Sequence, residues 1–359
     1  MNPKGILEAD MQLLYTHIHY EINNGAVTAQ LSFPDLGDLN NEVKSASATG
    51  NTLDIVFDLN GFDMLIHIEE KDGAWTGTTD LSTIGFHHEY TPKYISDQPD
   101  FKPHNFCIPP VHLHNLTENN EYTSLPCETI LEYELNQADV LAYLKKKGIC
   151  AENHHDLDTI LSLMRQVTQL IQQDGVNYNH DREHQGTIAQ IEHALNQDNK
   201  TNCRGIAIIM AGVLRAYGFK ANIVTCFPIS AEDPECHVVC ETFVEELGKT
   251  ILLDPSSNLL YYKNGVPLNL IELKAAIVKG EAEQLTINSD AIHGGEPVDK
   301  MQMIAYMSKN LFYLEKCIVS NEASEATEDN SICLAPASLV DKAFRKAKIY
   351  TTNLKAFYL

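Results

Sequence analysis

The stretch that decides the fold is Thr201-Asn202-Cys203-Arg204-Gly205-Ile206-Ala207, which places a cysteine at the start of an apolar run. Apolar residues then recur on one side at helical spacing: Ile206, Ala207, Met210, Val213 and Leu214. Gly218 follows at the position where a glycine commonly ends a helix. We therefore predict a helix with Cys203 in its first turn.

A thiol in the first turn of a helix has unusual chemistry. The positive end of the helix dipole and several free backbone N–H groups favour the thiolate, and they lower the pKa of the cysteine. The same N–H groups are suited to bind an oxyanion. Cys203 is therefore a candidate nucleophile.

Two predicted strands further along the chain carry a histidine and an aspartate. An apolar, β-branched strand over 221–227 precedes a second strand over 236–244, which has His237 near its start. A turn at 246–249 returns the chain into a third strand over 250–254, which a proline ends. Antiparallel pairing of these strands would hold His237 beside Asp254, and packing of the helix on the sheet would bring Cys203 to His237.

Cys203, His237 and Asp254 would supply the nucleophile, the base and the orienting carboxylate of covalent acyl transfer. The structural alternative is that the cysteine and the histidine only fill a core. With nine cysteines and fifteen histidines in the chain, some pairing arises by chance. The order of the three residues, the type of element that carries each one and the Asp-Pro ending favour the catalytic interpretation.

At these residues the chain resembles the transglutaminase-like superfamily, whose fold is related to that of papain-like cysteine proteases. The resemblance includes the helix ending Leu214-Arg215-Ala216-Tyr217-Gly218-Phe219 and runs from Leu157 to Leu273. It implies catalytic roles for the same three residues and a thioester intermediate. The chain departs from the family pattern after His237, because Val238-Val239 stands where many members carry an aromatic residue. This departure weakens any inference about how substrate is clamped.

The predicted fold class is α+β, with an antiparallel N-terminal β-domain, as a barrel or a sandwich, and a papain-like catalytic domain. Residues 1–100 contain short strands separated by the turn signals Asn23-Asn24-Gly25, Asn60-Gly61 and Asp72-Gly73. The run 73–77 resembles the lipocalin-like domains of bacterial hydrolases, with a generic meander as the alternative. Residues 101–150 form a proline-interrupted connector, and residues 151–359 are the catalytic domain with a C-terminal extension.

The same patterns predict helices and minor candidate sites around the catalytic stretch. Helices are expected over 136–147, from Leu157 after the N-cap Asp156, over 187–196, over 270–280 and over 305–313. Gln197 stands where papain-like enzymes place an oxyanion glutamine, but a polar loop position favours a surface role. His87, His88, His112 and His114 lack a matched ligand set and are interpreted as structural or surface residues.

The composition limits the partners. Acidic residues outnumber basic ones by 49 to 26, and the net charge of −23 disfavours nucleic acid and anionic membranes. We expect a peptide, protein or amide substrate and no cofactor. A zinc site of Cys226, Cys236 and Cys240 is the weaker interpretation, because the chain has no Cys-x-x-Cys pair. Scattered cysteines, no apolar run of membrane-spanning length and no signal peptide predict a cytoplasmic protein, with its oligomeric state open.

The expected activity is cysteine-dependent acyl transfer, with hydrolysis of an amide or peptide bond favoured. Two alternatives stay open. One is an amide-forming acyltransferase, and the other is a binding scaffold without catalysis. Retention of all three candidate catalytic residues argues against the scaffold.

Overall fold

The computed structural model describes residues 1–11, 15–33, 38–59, 62–81, 85–96, 108–152, 156–181, 185–231, 233, 235–322, 325–344 and 346–358. The chain divides into two compact units. The first comprises Met1–His112 and Met301–Tyr306, and the second comprises Leu113–Lys300 and Met307–Leu359. The boundaries predicted at residues 100 and 150 stay a prediction.

The first unit is built from antiparallel strands. Its strands are β1 (Lys4–Asp10), β2 (Tyr15–Asn23), β3 (Ala26–Phe33), β4 (Asp38–Glu42), β5 (Ser45–Thr49), β6 (Thr52–Leu59), β7 (Phe62–Lys71), β8 (Ala74–Leu81), β9 (Phe86–Tyr90) and β10 (Lys93–Ser96). They form two five-stranded sheets, in the orders β10-β1-β2-β3-β4 and β5-β6-β7-β8-β9. The predicted antiparallel β-domain is therefore confirmed.

Tight turns and an alternating apolar pattern produce these sheets. Asn24 and Gly25 both have positive φ, as do Asp72 and Gly73, which suits the two-residue hairpin turns predicted there. The turn signal at Asn60-Gly61 lies outside the described residues. Buried side chains from both sheets share one core, which includes Leu7, Leu31, Leu53, Ile66 and Leu81.

Most of the helices lie in the second unit. In chain order, the helices of the described chain are α1 (Pro110–Glu118), α2 (Ala138–Lys146), α3 (Leu157–Leu170), α4 (Thr187–Leu195), α5 (Cys203–Ala216), α6 (Leu270–Val278), α7 (Lys300–Lys309) and α8 (Leu354–Phe357). Asp156 caps α3 by accepting a hydrogen bond from the Thr159 N–H, as its position predicted. None of the helices in the described residues is long and apolar enough to cross a membrane.

The remaining strands lie in the second unit. They are β11 (Glu132–Tyr133), β12 (Gln172–Gln173), β13 (Lys200–Thr201), β14 (Ala221–Phe227), β15 (His237–Val244), β16 (Lys249–Leu253), β17 (Tyr261–Lys263), β18 (Val266–Pro267), β19 (Thr286–Ile287), β20 (Ile292–His293), β21 (Glu296–Pro297), β22 (Tyr313–Cys317), β23 (Val319–Ser320), β24 (Ser331–Leu334) and β25 (Ile349–Thr351). A six-stranded sheet has the order β16-β15-β14-β22-β24-β25. Helix α5 packs against β14 and β15 on one side and against α2, α3 and α4 on the other.

One predicted helix is wrong in its bounds. The helix expected over 305–313 runs from Lys300 to Lys309, and Tyr313 instead begins β22, which pairs with β14. Every residue of β22 is buried, so its sequence lacks the alternation that distinguishes a half-exposed strand from a helix. Pairing with a central strand determines the structure of such a short run.

Candidate active site

Cys203 is the first residue of α5, as predicted. Asn202 is the N-cap, with an extended backbone and a side chain that accepts a hydrogen bond from the Gly205 N–H at 3.0 Å. The Asn202 N–H and the Thr201 hydroxyl both donate to the Asn177 carbonyl oxygen. A Cβ at Gly205 would lie 2.1 Å from the Thr201 hydroxyl oxygen, so this approach requires glycine. These contacts fix the turn that presents the half-buried Cys203 thiol.

His237 and Asp254 lie side by side in the sheet. His237 is the first residue of β15, and Asp254 directly follows β16, which pairs with β15 in an antiparallel register. His237 Nε2 lies 2.7 Å from Asp254 Oδ2. The two side chains are only 4% and 1% exposed, so this hydrogen bond is shielded from water. The predicted juxtaposition of His237 and Asp254 is therefore present.

The carboxylate of Asp254 is held by the turn that follows it. Its Oδ1 accepts a hydrogen bond from the Ser256 N–H at 3.1 Å, while Oδ2 faces the His237 ring. Asp254 and Leu259 also exchange both backbone hydrogen bonds, at 2.9 Å each. Backbone groups thus orient the carboxylate, and the carboxylate in turn orients the imidazole.

The thiol of Cys203 lies in hydrogen-bonding contact with the His237 side chain. Burial by itself raises the pKa of the Cys203 thiol. The His237 hydrogen bond and charge, the Val238 N–H and the Arg204 charge outweigh burial, so the pKa falls below the ordinary value. Burial lowers the pKa of His237, but the charge and hydrogen bond of Asp254 raise it well above 6.5. Both directions favour a thiolate beside an imidazolium.

Four other cysteines of the described chain provide a contrast with Cys203. Burial raises the pKa of the thiols at Cys226, Cys236, Cys240 and Cys317. Cys203 is the thiol whose pKa moves in the opposite direction. This difference separates a candidate nucleophile from cysteines that fill space.

Arg204, the residue after Cys203, is part of a network that the sequence analysis did not identify. Its Nη1 lies 3.3 Å from Glu325 Oε1, and the Tyr178 hydroxyl donates to the same carboxylate oxygen at 2.6 Å. Arg204 also hydrogen-bonds the Cys236 thiol. The sequence could indicate a role for Arg204 only through its position beside Cys203. Its carboxylate partner Glu325 is 121 residues away, so no local pattern predicts their contact.

Three of the minor candidates, Gln197, His87 and His114, are exposed, and the other two, His88 and His112, are half-buried. Gln197 is exposed in the turn after α4, where its N–H donates to the Ala194 carbonyl oxygen. His87 is exposed and lies 2.6 Å from Asp80, and the His88 ring stacks on Tyr90. Among the described residues, no group of three or more His, Cys, Asp and Glu side chains is arranged to hold a metal ion.

Comparisons with known proteins identify the same part of the chain. Residues 145–255 match the model of the transglutaminase-like superfamily. No curated protein matches the sequence. A crystal structure of a "putative cysteine protease" from Cytophaga hutchinsonii is similar over 71% of this chain and 80% of its own, at 12% identity. The TM-score between the two structures is 0.26.

The matched segment contains α3, α4, α5 and the strands that carry His237 and Asp254. The match therefore covers Cys203, His237 and Asp254, the residues that carry the resemblance. Residues 145–255 are thus similar in sequence to the transglutaminase-like superfamily, within an α+β chain that also has an antiparallel N-terminal β-domain.

Proposed function

We propose that the protein is a thiol enzyme that transfers acyl groups through a thioester at Cys203, with hydrolysis of an amide or peptide bond as the outcome. The observation that supports this most is the shielded 2.7 Å contact between His237 and Asp254 beside a thiol of lowered pKa. Nucleophile, base and orienting carboxylate are the parts that covalent acyl transfer requires.

The proposed reaction has two halves. The Cys203 thiolate attacks the carbonyl carbon, and the His237 imidazolium gives its proton to the departing amine, which leaves a thioester on sulfur. Water then attacks the thioester while His237 accepts a proton, and the C–S bond breaks to release the carboxylic acid. Asp254 holds the ring through Nε2, so Nδ1 is the nitrogen that exchanges protons with sulfur and the amine.

The start of α5 is the proposed oxyanion site. The N–H groups of Gly205 and Ile206 are already bonded to Asn202, so we assign the oxyanion to the N–H groups of Cys203 and Arg204. Helix-start N–H groups carry partial positive charge and need no rearrangement when the carbonyl oxygen becomes negative.

Peptides, proteins and simple amides are the proposed substrates. The net charge of −23 repels polyanions, so nucleic acid and anionic membranes are not proposed as partners. A cytoplasmic location stays a prediction.

Activity-based profiling tests the proposal. Wild type, Cys203→Ala and the neighbouring-thiol control Cys236→Ala are treated with iodoacetamide and with acyl probes that trap thioesters. We expect Cys203 to be the most rapidly labelled thiol of wild type and Cys236→Ala near neutral pH, as located by peptide mapping, and this rapid labelling to be lost in Cys203→Ala, where the exposed Cys127 and Cys150 react only slowly. Preferential labelling of Cys236 with an inert Cys203 would contradict the proposal and leave the scaffold alternative.

Added amines separate the two enzymatic outcomes. With the acyl probe bound as a thioester, water yields the acid, whereas a competing primary amine yields an amide. We expect the acid to remain the main product at millimolar amine. Amide as the main product would instead identify the acyltransferase.

A further inference from the structure

The start of α5 and the start of β15 lie against each other in the second unit. Helix α5 packs on β15, with Cys203 as the first residue of the helix and Cys236 directly before the strand. The Cys203 thiol hydrogen-bonds the His237 side chain. The Arg204 guanidinium hydrogen-bonds the Cys236 thiol. Each cysteine is therefore in contact with the residue that adjoins the other cysteine in the chain.

These two crossed contacts bring the sulfur atoms into the same small region. The charge of the Cys203 thiolate raises the pKa of Cys236, so the two sulfur atoms lie close enough for their charges to interact. The pairing of β15 with β14 begins at His237, and Cys236 lies before the first paired residue. The approach of Cys236 to Cys203 therefore leaves the paired strand in place.

Access to solvent separates this pair from the buried thiols. Cys203 and Cys236 are both free and half-buried, whereas Cys226, Cys240 and Cys317 are buried. Thiolate character and solvent access make a cysteine susceptible to oxidation, and Cys203 combines the two. Without a second thiol nearby, such a cysteine is oxidised beyond sulfenic acid to the sulfinic and sulfonic acids. Cys236 supplies that second thiol.

We propose that Cys203 and Cys236 form a redox pair, in which a peroxide oxidises Cys203 and Cys236 then closes a disulfide that reversibly blocks the candidate active site. Its description as the regulation of an enzyme rests on the proposed function, whereas the sulfur chemistry requires only a reactive Cys203. The role assigned to Cys236 is that of a resolving thiol, which stops the oxidation at a reducible product.

The first step consumes one molecule of hydrogen peroxide. The Cys203 thiolate attacks one oxygen of the peroxide, an S–O bond forms and the O–O bond breaks. The departing hydroxide takes the proton of the His237 imidazolium and leaves as water. Sulfur is thereby oxidised to sulfenic acid, and the peroxide is reduced.

The second step joins the two sulfur atoms. The Cys236 sulfur attacks the sulfenic sulfur of Cys203, the S–S bond forms and the S–O bond breaks. The hydroxide that departs combines with the proton that Cys236 gives up, and a second molecule of water is released. The charge and the hydrogen bond of Arg204 favour the Cys236 thiolate against the effect of burial, and the thiolate is the attacking form.

Peroxide treatment of the full chain tests the redox pair. Wild type is treated with an excess of hydrogen peroxide, its remaining free thiols are blocked, and its peptides are mapped without reduction. We expect a disulfide between Cys203 and Cys236 as the main product, with loss of Cys203 labelling by iodoacetamide. Dithiothreitol should restore that labelling almost completely, because thiol–disulfide exchange reduces the bond.

Cys236→Ala and Cys226→Ala are the matched variants. Cys226 lies opposite His237 in the pairing of β14 with β15, and the charges of Cys203 and Cys236 both act on its thiol. Cys226 is therefore a rival resolving thiol, and we expect Cys226→Ala to behave as wild type. In Cys236→Ala, Cys203 should be oxidised to sulfinic and sulfonic acids, so dithiothreitol should restore little of its labelling.

A disulfide from Cys203 to any other cysteine, or equal recovery of labelling in Cys236→Ala and wild type, would overturn the redox pair. The wild-type peptide map needs no variant, so it decides even if Cys236→Ala does not fold. A thioester trapped at Cys203 without a Cys203–Cys236 disulfide would refute the redox pair and leave the proposed function. The disulfide without any trapped thioester would do the reverse, so the two failures are distinguishable.

Discussion

Two buried pairs of opposite charge lie in the six-stranded sheet, and strand β15 contributes to both. His237 faces Asp254 at one end of β15, while Glu241, four residues further on, contacts Lys316 of β22. Burial raises the pKa of Glu241 and lowers that of Lys316, so it favours the neutral forms. At His237 the carboxylate outweighs burial and favours the charged form.

The surroundings explain the difference between the pairs. Lys316 is covered by the rings of Phe357 and Tyr358, with its Nζ 4.1 Å and 5.2 Å from their centroids. His237 has a half-buried thiol beside it, and this thiol can exchange a proton with the ring. The same kind of buried pair therefore serves packing in one place and lies beside a candidate nucleophile in the other.

The largest effect is expected from removing sulfur at the candidate reactive pair. Cys203→Ala should abolish the covalent intermediate and turnover, because no other group at the start of α5 can form the thioester. Intact-mass analysis after acyl-probe treatment measures the intermediate, and Cys236→Ala is the control. A probe adduct on Cys203→Ala would show that the nucleophile is elsewhere.

Asp254→Asn should preserve the fold and reduce turnover by roughly 10⁴-fold, the loss that the same change causes in serine triads. An amide cannot stabilise the imidazolium, and it favours the wrong tautomer. Steady-state kinetics with circular dichroism as the folding control measures the effect. If the folded variant turned over substrate as fast as wild type, Asp254 would have no role in catalysis and would only mark the end of a strand.

The pair in the packed region should respond in stability instead of activity. Lys316→Met leaves Glu241 buried without its partner, and should reduce the free energy of unfolding by at most about 3–5 kcal/mol, because protonation of Glu241 relieves part of the cost of an unpaired buried charge. Adding Glu241→Leu should recover most of that loss, since an apolar pair replaces the ions. Urea denaturation measures the stability of both variants. Equal stability of Lys316→Met and wild type would contradict the structural role assigned to the Glu241–Lys316 pair.

The smallest effect concerns pH. Because the pKa of Cys203 is lowered and that of His237 raised, the thiolate–imidazolium pair should persist from the Cys203 pKa upward to the His237 pKa. An ordinary thiol is only a few per cent thiolate at pH 7, so Cys203 should alkylate up to roughly 30-fold faster there. Iodoacetamide rates against pH test this, and a midpoint at or above 9 would contradict it.

Local signals explain what the sequence could predict. The cap at Asn202, the glycine after α5 and the apolar strand over 221–227 act within a few residues, so α5 and β14 were predicted at their observed bounds or within one or two residues of them. Packing this helix on a β-hairpin was then sufficient to predict that Cys203, His237 and Asp254 lie close together.

Long-range pairing explains what the sequence could not predict. Strands β22, β24 and β25 complete half of the six-stranded sheet, but they are short and β22 and β24 are wholly buried. Strand β5 was also missed, because Ser45–Thr49 contains no large apolar residue. The ion pair of Arg204 with Glu325 joins residues that are 121 positions apart, and no local pattern encodes such a contact.

The two oxygens of Asp254 face different systems, one the His237 ring and the other the backbone of Ser256. A carboxylate is rigid, so a rotation that strains one bond strains the other. The His237 ring and the turn that contains Ser256 therefore constrain each other through Asp254, and such a coupling acts equally in both directions. A change that displaces Ser256 would alter the affinity of the ring for a proton, and protonation of the ring would in turn bias the position of that turn.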